Sequence, residues 1–369
     1  MKVPFANLTS QYRNLKPEID QAIDSVLDSG NFIGGEPIRL FEKNFADVCS
    51  VKHCIGLGNG TAGLFLALKA LDVGPGDEVI TPAWSWISTS EVITMAGAKP
   101  VFADVDPAYY TITASEIERK ITGRTKAVII VHLYGQVAEI KRIKEFCDSK
   151  NISIIEDCSQ AHLSEENGVV AGAVGDCGVF SFYPTKNLGA YGDAGCVITN
   201  NESLAIKIRR LANHGGLSKD EHLMEGFNSR LDTIQAAILN VKLPLLSVWT
   251  KKRIELAQLY SSDLTGISGI TLPEIRVDTI HSFHLFVVLA EKREQLEEYL
   301  SQREIQTLVH YPKALPFEPA YSYLNHKESD FPVSAHLQNV VLSLPLYPEL
   351  SREQVVYVCK SIRSFYETF

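Results

Sequence analysis

A chain of 369 residues, 45% hydrophobic and with a formal net charge of −9, has the size of two domains, or of one large α/β domain with an appendage. The acidic balance argues against a nucleic-acid binder, which carries a basic surface. No stretch is apolar for long enough to span a bilayer, and the N-terminal MKVPFANLTSQYRNL has no secretory apolar run, so a cytoplasmic protein without membrane contact is expected. The seven cysteines are scattered without C-x-x-C spacing, which supports neither a zinc site nor a disulfide framework. They read as buried thiols.

In chain order, residues 15–28 bring Ile19, Ile23, Val26 and Leu27 close to helical spacing, with Gly30 as the stop. A second helix from Pro37 to Val48 carries Leu40, Phe41 and Phe45 on one face. A short strand from Cys54 to Leu57 leads into a glycine-rich turn, Gly58 to Thr61, which opens the apolar helix Ala62–Leu71. A helix N-terminus with free N–H groups is a phosphate seat, and Asn59 or Thr61 is also suited to cap the helix. Val79 and Ile80 form a strand that Pro82 breaks, so Trp84 and Trp86 fall at its C-terminal edge. Ligands collect at that edge of open α/β sheets. An indole there can stack on a flat ring, or simply pack, as Trp84 is expected to do. AKPVFADV and TKAVIIVHLYG read as further strands, followed by a helix over 140–149. Ile152–Ile155 is a strand that delivers Asp157 to its C-terminal end. A carboxylate placed there can hold a protonated ring nitrogen or cap the next helix.

Then comes VFSFYPTKNLGAYGDAG, residues 179–195. The apolar start ends a buried strand, Pro184 stops it, and Lys186 follows in a tight turn with Gly189, Gly192 and Gly195 around it. Desolvation there lowers a lysine pKa and frees the amine as a nucleophile for a Schiff base with an aldehyde. A surface lysine in a turn is the alternative for this stretch taken alone. Beyond it, ESLAIKIRRLANHGG reads as a helix ending in glycine and FNSRLDTIQAAILNVKLPLL as a second, ending near Pro244. Residues 248–262 form a polar-faced helix, HSFHLFVVLA a strand, REQLEEYLSQREI a helix and TLVHYP a strand, with a last helix from Ser351. The expected architecture is a three-layer α/β/α large domain with a mostly parallel sheet, residues 1–245, and a small C-terminal α+β domain, 246–369.

A phosphate seat at Gly60, Thr61 and Ala62, an aromatic at Trp86, a carboxylate at Asp157 and a lysine at Lys186 thus share one predicted sheet edge. Together they are what pyridoxal phosphate requires. The chain also resembles the DegT/DnrJ/EryC1/StrS family of nucleotide-sugar aminotransferases, which have the fold of type I pyridoxal-phosphate-dependent transferases. The blocks that carry the resemblance run from FANLTSQY and SGNFIGG through NGTAGL, VHLYGQ, IEDCSQAH, SFYPTKNLGAYGDAG and NSRLDTIQAA to HYPKALPFEPAY and SLPLYPEL.

The resemblance implies that Lys186 holds the cofactor as an imine and moves protons, and that Asp157 pairs with the ring nitrogen. It implies that Gln160 lies near the ring, Trp86 stacks on it, and Gly60, Thr61, Ala62 and Ser181 hold the phosphate. Asn228 would reach the phosphate of the other subunit of a homodimer whose active sites lie at the interface. His310, Tyr311 and Tyr183 would lie on the substrate side. The implied reaction moves an amino group from L-glutamate, through pyridoxamine phosphate, to a nucleotide-linked ketosugar. The branch it looks most like acts at C-3 of dTDP-3-keto-6-deoxyhexoses. The alternative is C-4 amination of a UDP-, GDP- or dTDP-4-keto sugar. A pyridoxamine-dependent dehydratase is disfavoured because such members replace the lysine. A DNA-binding sensor is disfavoured because the chain has no helix-turn-helix or basic arm. Three departures bear on the sugar pocket: QAHLS in place of QAHGA, Trp where Phe or Tyr is usual at 86, and Ala314 and Pro316 in the block after HYP.

Overall fold

The computed structural model describes residues 1–368; residue 369, the last of the expected small domain, lies outside them. Helices α1 (Leu8–Asn14), α2 (Lys16–Ser29) and α3 (Glu36–Val48) open the chain. The stop of α2 at Gly30 is a left-handed residue, φ 63°, which a residue lacking Cβ adopts freely. Strands and helices then alternate: β1 (His53–Leu57), α4 (Gly60–Ala70), β2 (Glu78–Pro82), α5 (Ser88–Met95), β3 (Lys99–Ala103), α6 (Ala114–Lys120), β4 (Thr125–Val131), α7 (Ile140–Asp148) and β5 (Ser153–Asp157). The two-residue strands β6 (Glu165–Glu166) and β7 (Val169–Val170) precede β8 (Cys177–Ser181) and β9 (Gly195–Thr199), and α8 (Glu202–Ala212) and α9 (Thr233–Lys242) follow. After these come α10 (Leu246–Leu264), β10 (Ile270–Thr271), β11 (Thr279–Ile280), β12 (Phe286–Ala290), α11 (Arg293–Ser301), α12 (Pro332–Val340), β13 (Val341–Leu344) and α13 (Arg352–Thr368).

Seven strands form the main sheet in the order β1-β9-β8-β5-β4-β2-β3. β9 runs against both of its neighbours, and the other pairs are parallel. Both faces are covered. Along β4, Ala127, Ile129 and Val131 join one core with α4, α5 and α8, while Val128 and Ile130 join the other with α3 and α9. That period of two within a run apolar throughout marks a strand buried on both sides. The chain is therefore a three-layer α/β/α structure with a mostly parallel sheet. A smaller sheet, β10-β12-β13, shares a third core with α10, α11 and α13, and Val3 lies in that core. Val3 also bridges Ile305 in parallel, so the first residues of the chain pack with its last third.

Two expectations need correction. The helix expected across FNSRLDTIQAA begins only at Thr233, because Phe227 and Ser229 spend their N–H groups on Leu211 and Ala212 carbonyls at 2.7 and 3.0 Å. The strand expected over TLVHYP is a single bridge between Leu308 and Ser343. Beyond it the chain turns inward through a cis His310–Tyr311 peptide. No helix among the described residues is long and apolar enough to cross a membrane. All seven cysteines are buried free thiols.

Candidate active site

The site forms at the C-terminal edge of the main sheet. Here β1, β5 and β8 end side by side with the β8–β9 connection. β5 carries Asp157 to its last position, in register with Val131 on one side and Val179 on the other. Asp157 is 6% exposed, and its Oδ1 accepts the Ser159 N–H at 3.0 Å. Oδ2 makes no hydrogen bond among the described residues, so this largely buried residue keeps one acceptor open.

After β8 the chain folds back in a narrow loop. Lys186 N–H donates to Tyr183 O at 2.8 Å, and Ala190 N–H to Phe182 O at 2.8 Å. Gly189 is what lets this loop close: a Cβ there would lie 2.3 Å from Pro184 O. Lys186 is half-buried, and burial lowers its pKa to about 8 against the opposing pull of Asp157. An amine so shifted has a larger neutral fraction at physiological pH than an ordinary lysine, which is what a nucleophile needs.

The seat at the start of α4 is built by close approach. Asn59 caps the helix, accepting Ala62 N–H at 2.8 Å. That leaves the Gly60 and Thr61 N–H groups without a hydrogen bond among the described residues, at the positive end of the helix. Gly195 of β9 backs this turn, and a Cβ on it would lie 2.5 Å from the Asn59 carbonyl carbon. Ser181 packs against Gly60 from β8. A tetrahedral anion fits such a cradle, with two free N–H groups and the Ser181 hydroxyl around it. Thr61 Oγ1 is engaged with Ser88 Oγ at 2.8 Å.

Trp84 and Trp86 divide as the sequence suggests. Trp84 is fully buried and donates Nε1–H to Tyr134 Oη at 2.8 Å. Trp86 is 58% exposed and faces Tyr311 at 5.8 Å between ring centroids. Gln160 joins two segments: its Oε1 accepts Tyr134 N–H at 2.7 Å, and its Nε2 donates to Tyr311 Oη at 2.9 Å. Tyr134 was not singled out from sequence. It sits at φ 59° and ties Trp84, Gln160 and the His310 carbonyl together. Its signal lay in the VHLYGQ block, where Gly135 marks a turn. His310 lines a cavity of about 130 Å³ together with Lys186. Burial and the Lys186 charge lower its pKa to about 4, so its imidazole is neutral. Tyr183 is 53% exposed beside the lysine turn. Asn228 is exposed, its Oδ1 accepting from Arg230 at 2.9 Å, and the adjacent Ser229 Oγ accepts the Gly58 N–H at 3.4 Å.

Two of the departures now have a structural account. Leu163, where the family has glycine, takes φ 57°, a conformation that glycine adopts without strain. Ser164 is fully buried and is satisfied by Gly135 O at 2.7 Å and Ser282 Oγ at 2.8 Å. Ala314 and Leu315 pack under the site edge, Leu315 against Ala83 and Phe102.

A lowered-pKa lysine, an open carboxylate, an anion cradle and an exposed indole at one edge of a three-layer sheet define a pyridoxal-phosphate-dependent transferase. The DegT/DnrJ/EryC1/StrS aminotransferase family model matches residues 13–363. The chain is 42% identical over its whole length, and the whole of the relative, to a "Pleiotropic regulatory protein" of Geobacillus stearothermophilus. It is 40% identical, over 99% of this chain and 97% of the relative, to the dTDP-3-amino-3,4,6-trideoxy-alpha-D-glucose transaminase of Streptomyces venezuelae. The crystal structure of S. venezuelae DesV in complex with a ketimine intermediate superposes with a TM-score of 0.97 at 40% identity, covering 99% of both chains. The chain belongs to the DegT/DnrJ/EryC1/StrS aminotransferase family, and its cofactor is pyridoxal phosphate.

Proposed function

We propose that this aminotransferase moves an amino group from L-glutamate to a nucleotide-linked ketosugar, at C-3 of a dTDP-3-keto-6-deoxyhexose. The observation that carries the transamination is the pairing of Lys186, lowered to about 8, with the open Asp157 carboxylate at the same sheet edge. The choice of C-3 draws on the 40% identity to a transaminase named for a dTDP-3-amino sugar.

Bound pyridoxal phosphate supplies the electron sink that acidifies the donor Cα–H. Gly60, Thr61 and Ser181 seat its phosphate, with Ala62 supporting the turn through the Asn59 cap. Asp157 offers its free oxygen to the ring nitrogen, and Trp86 covers the ring. Gln160 would hold Tyr311 beside the cofactor through the bond from its Nε2 to Tyr311 Oη. Lys186, once released, would take the proton from the donor Cα and return it to the cofactor C4′, across the intervening nitrogen, which requires an amine neutral near working pH. His310, Tyr311 and Tyr183 line the side open to the sugar. Asn228, exposed at the surface, serves the site of a second copy in a homodimer. Residues 1–245 form the cofactor-binding unit in this reading and 246–369 the smaller one, with Val3 packed in the core of the smaller unit.

The test is a product assay with matched 3-keto and 4-keto dTDP-sugars and L-glutamate. Amination of the 3-keto sugar is expected. Amination of the 4-keto sugar alone would transfer the assignment to C-4.

A further inference from the structure

Next to Lys186 in the chain is Asn187, a fully enclosed side chain that reaches across the fold. Its Nδ2 donates to Ser282 O at 3.1 Å, and its Oδ1 lies 3.2 Å from His284 Nδ1. A backbone carbonyl only accepts, so the Ser282 contact fixes which end of the amide is NH₂. Oδ1 therefore faces His284, and the proton between them sits on His284 Nδ1. The imidazole is then locked in one tautomer with an unprotonated Nε2. His284 makes no other side-chain hydrogen bond among the described residues. It lines the same cavity of about 130 Å³ as Lys186. Its backbone is held as well, since Arg253 Nη1 donates to the Phe283, His284 and Leu346 carbonyls at 3.2, 3.3 and 2.8 Å.

We propose that His284 is a positioning residue for the reacting amine, its tautomer set by Asn187 so that Nε2 accepts an N–H from the Lys186 side chain whenever that side chain is free. The assignment rests on the aminotransferase reading above. It adds an acceptor that aims the amine without competing for its proton. The other titratable groups around the cavity are Lys186, Arg253, His310, Tyr347 and Glu349. Burial and the charges of Lys186 and Arg253 hold His284 well below the usual histidine range. It therefore accepts a hydrogen bond and does not itself become protonated. An acceptor so placed constrains the rotation of the lysine amine and keeps its lone pair directed at the reacting carbon.

Two substitutions separate this role from a purely structural one. His284→Asn keeps an amide at the Nδ1 position, and with it the Asn187 contact, and removes the cavity acceptor. His284→Gln puts an amide oxygen near the Nε2 position. The rate of the first half-reaction with L-glutamate in a single turnover is measured for both, with KM and kcat separated. About tenfold or more loss of rate is expected in His284→Asn, the worth of one hydrogen bond to a charged or reacting amine, and no more than about threefold in His284→Gln. Independently, the pH midpoint of Lys186 labelling by cyanate is read by mass spectrometry in cofactor-free protein. It is expected to fall by about one pH unit in His284→Asn and to stay in place in His284→Gln, because the acceptor also stabilises the ammonium form. Wild-type-like rate and midpoint in His284→Asn would overturn the proposal, as would equal losses in the two variants. Failure of the wild-type protein to react with L-glutamate at all would instead overturn the amino-donor reading, and the labelling midpoints would still decide the role of His284.

Discussion

Glu156 and Asp157 are consecutive carboxylates at the end of one strand, and they point to opposite faces of the sheet. Glu156 is fully buried and saturated. His132 Nε2 lies 2.8 Å from it, and it accepts the Gly172, Val174 and Gly175 N–H groups at 2.8, 2.9 and 2.6 Å. His132 Nδ1 in turn accepts Ala138 N–H at 3.1 Å. These bonds hold Glu156 below its ordinary pKa in spite of burial. Asp157, one residue on, has a single protein donor. The same residue chemistry at the same strand end thus does two jobs. A carboxylate whose acceptor sites are all filled from within holds a loop in place. One left with an open site awaits a ligand. His132, Glu156 and Cys158 lie close enough together to suggest a metal site, yet the Glu156 oxygens and His132 Nδ1 are already committed to protein donors.

The contrast can be tested from its strongest consequence down. Lys186→Ala is expected to lower steady-state transamination by at least about 10³-fold, since in the proposed role the amine is both nucleophile and proton carrier. Appreciable turnover without added amine would break the assignment. Asp157→Asn should cost about 10²-fold in rate and less than about 1 kcal/mol in stability. Glu156→Gln should show the reverse, about 3 kcal/mol lost in denaturant unfolding, with the surviving folded protein close to normal in rate. If the two variants behaved alike, the division between a filled and an open carboxylate would fail.

Acidification probes the buried imidazoles. Burial lowers His162 and His281 to about 3 and His310 to about 4. Between those values and the ordinary histidine range the unfolded chain binds protons that the folded chain refuses. Stability then rises with pH across this window and is lost as pH falls. Near pH 5 these three contribute an uptake of about three protons on unfolding, offset in part by Glu349 and Glu297, whose pKa values burial raises. The slope of unfolding free energy between pH 6.5 and 5 measures it, and a flat profile would contradict it. The smallest effect belongs to Trp86→Ala. An indole so exposed should leave stability within about 0.5 kcal/mol, while retention of the cofactor falls about five- to tenfold on dialysis.

Much of this site was legible because its parts are local. Lys186 and the Gly60 turn follow apolar strands that end at a breaker, Asp157 is the last residue of an apolar strand, and the strand ends at one sheet edge bring them together. What escaped was pairwise and distant. The bond from Asn187 to His284 spans 97 residues, and that from Tyr134 to the His310 carbonyl spans 176. No periodicity links such partners. The reversal of β9 was equally hidden, because GCVIT is apolar in either direction and the connection from Phe182 to Ala194 is long enough for either. The misread strand over 307–312 has the same origin. Its β-branched and aromatic residues suit a strand, but the backbone leaves the sheet after one bridge to carry His310 and Tyr311 inward.

That reversed strand governs when the protein can become an enzyme at all. β1 pairs with β9 from His53 opposite Thr199 to Leu57 opposite Gly195, and Gly195 is the wall behind the Gly60 turn. A nascent chain carries its anion seat from early in synthesis, but the seat has no back until some 140 further residues have emerged. Contacts so far apart in sequence form late and slowly. A ribosome-bound chain ending before Thr199 should therefore neither capture pyridoxal phosphate nor be protected by it, and the cofactor can act as a folding ligand only on a nearly finished polypeptide.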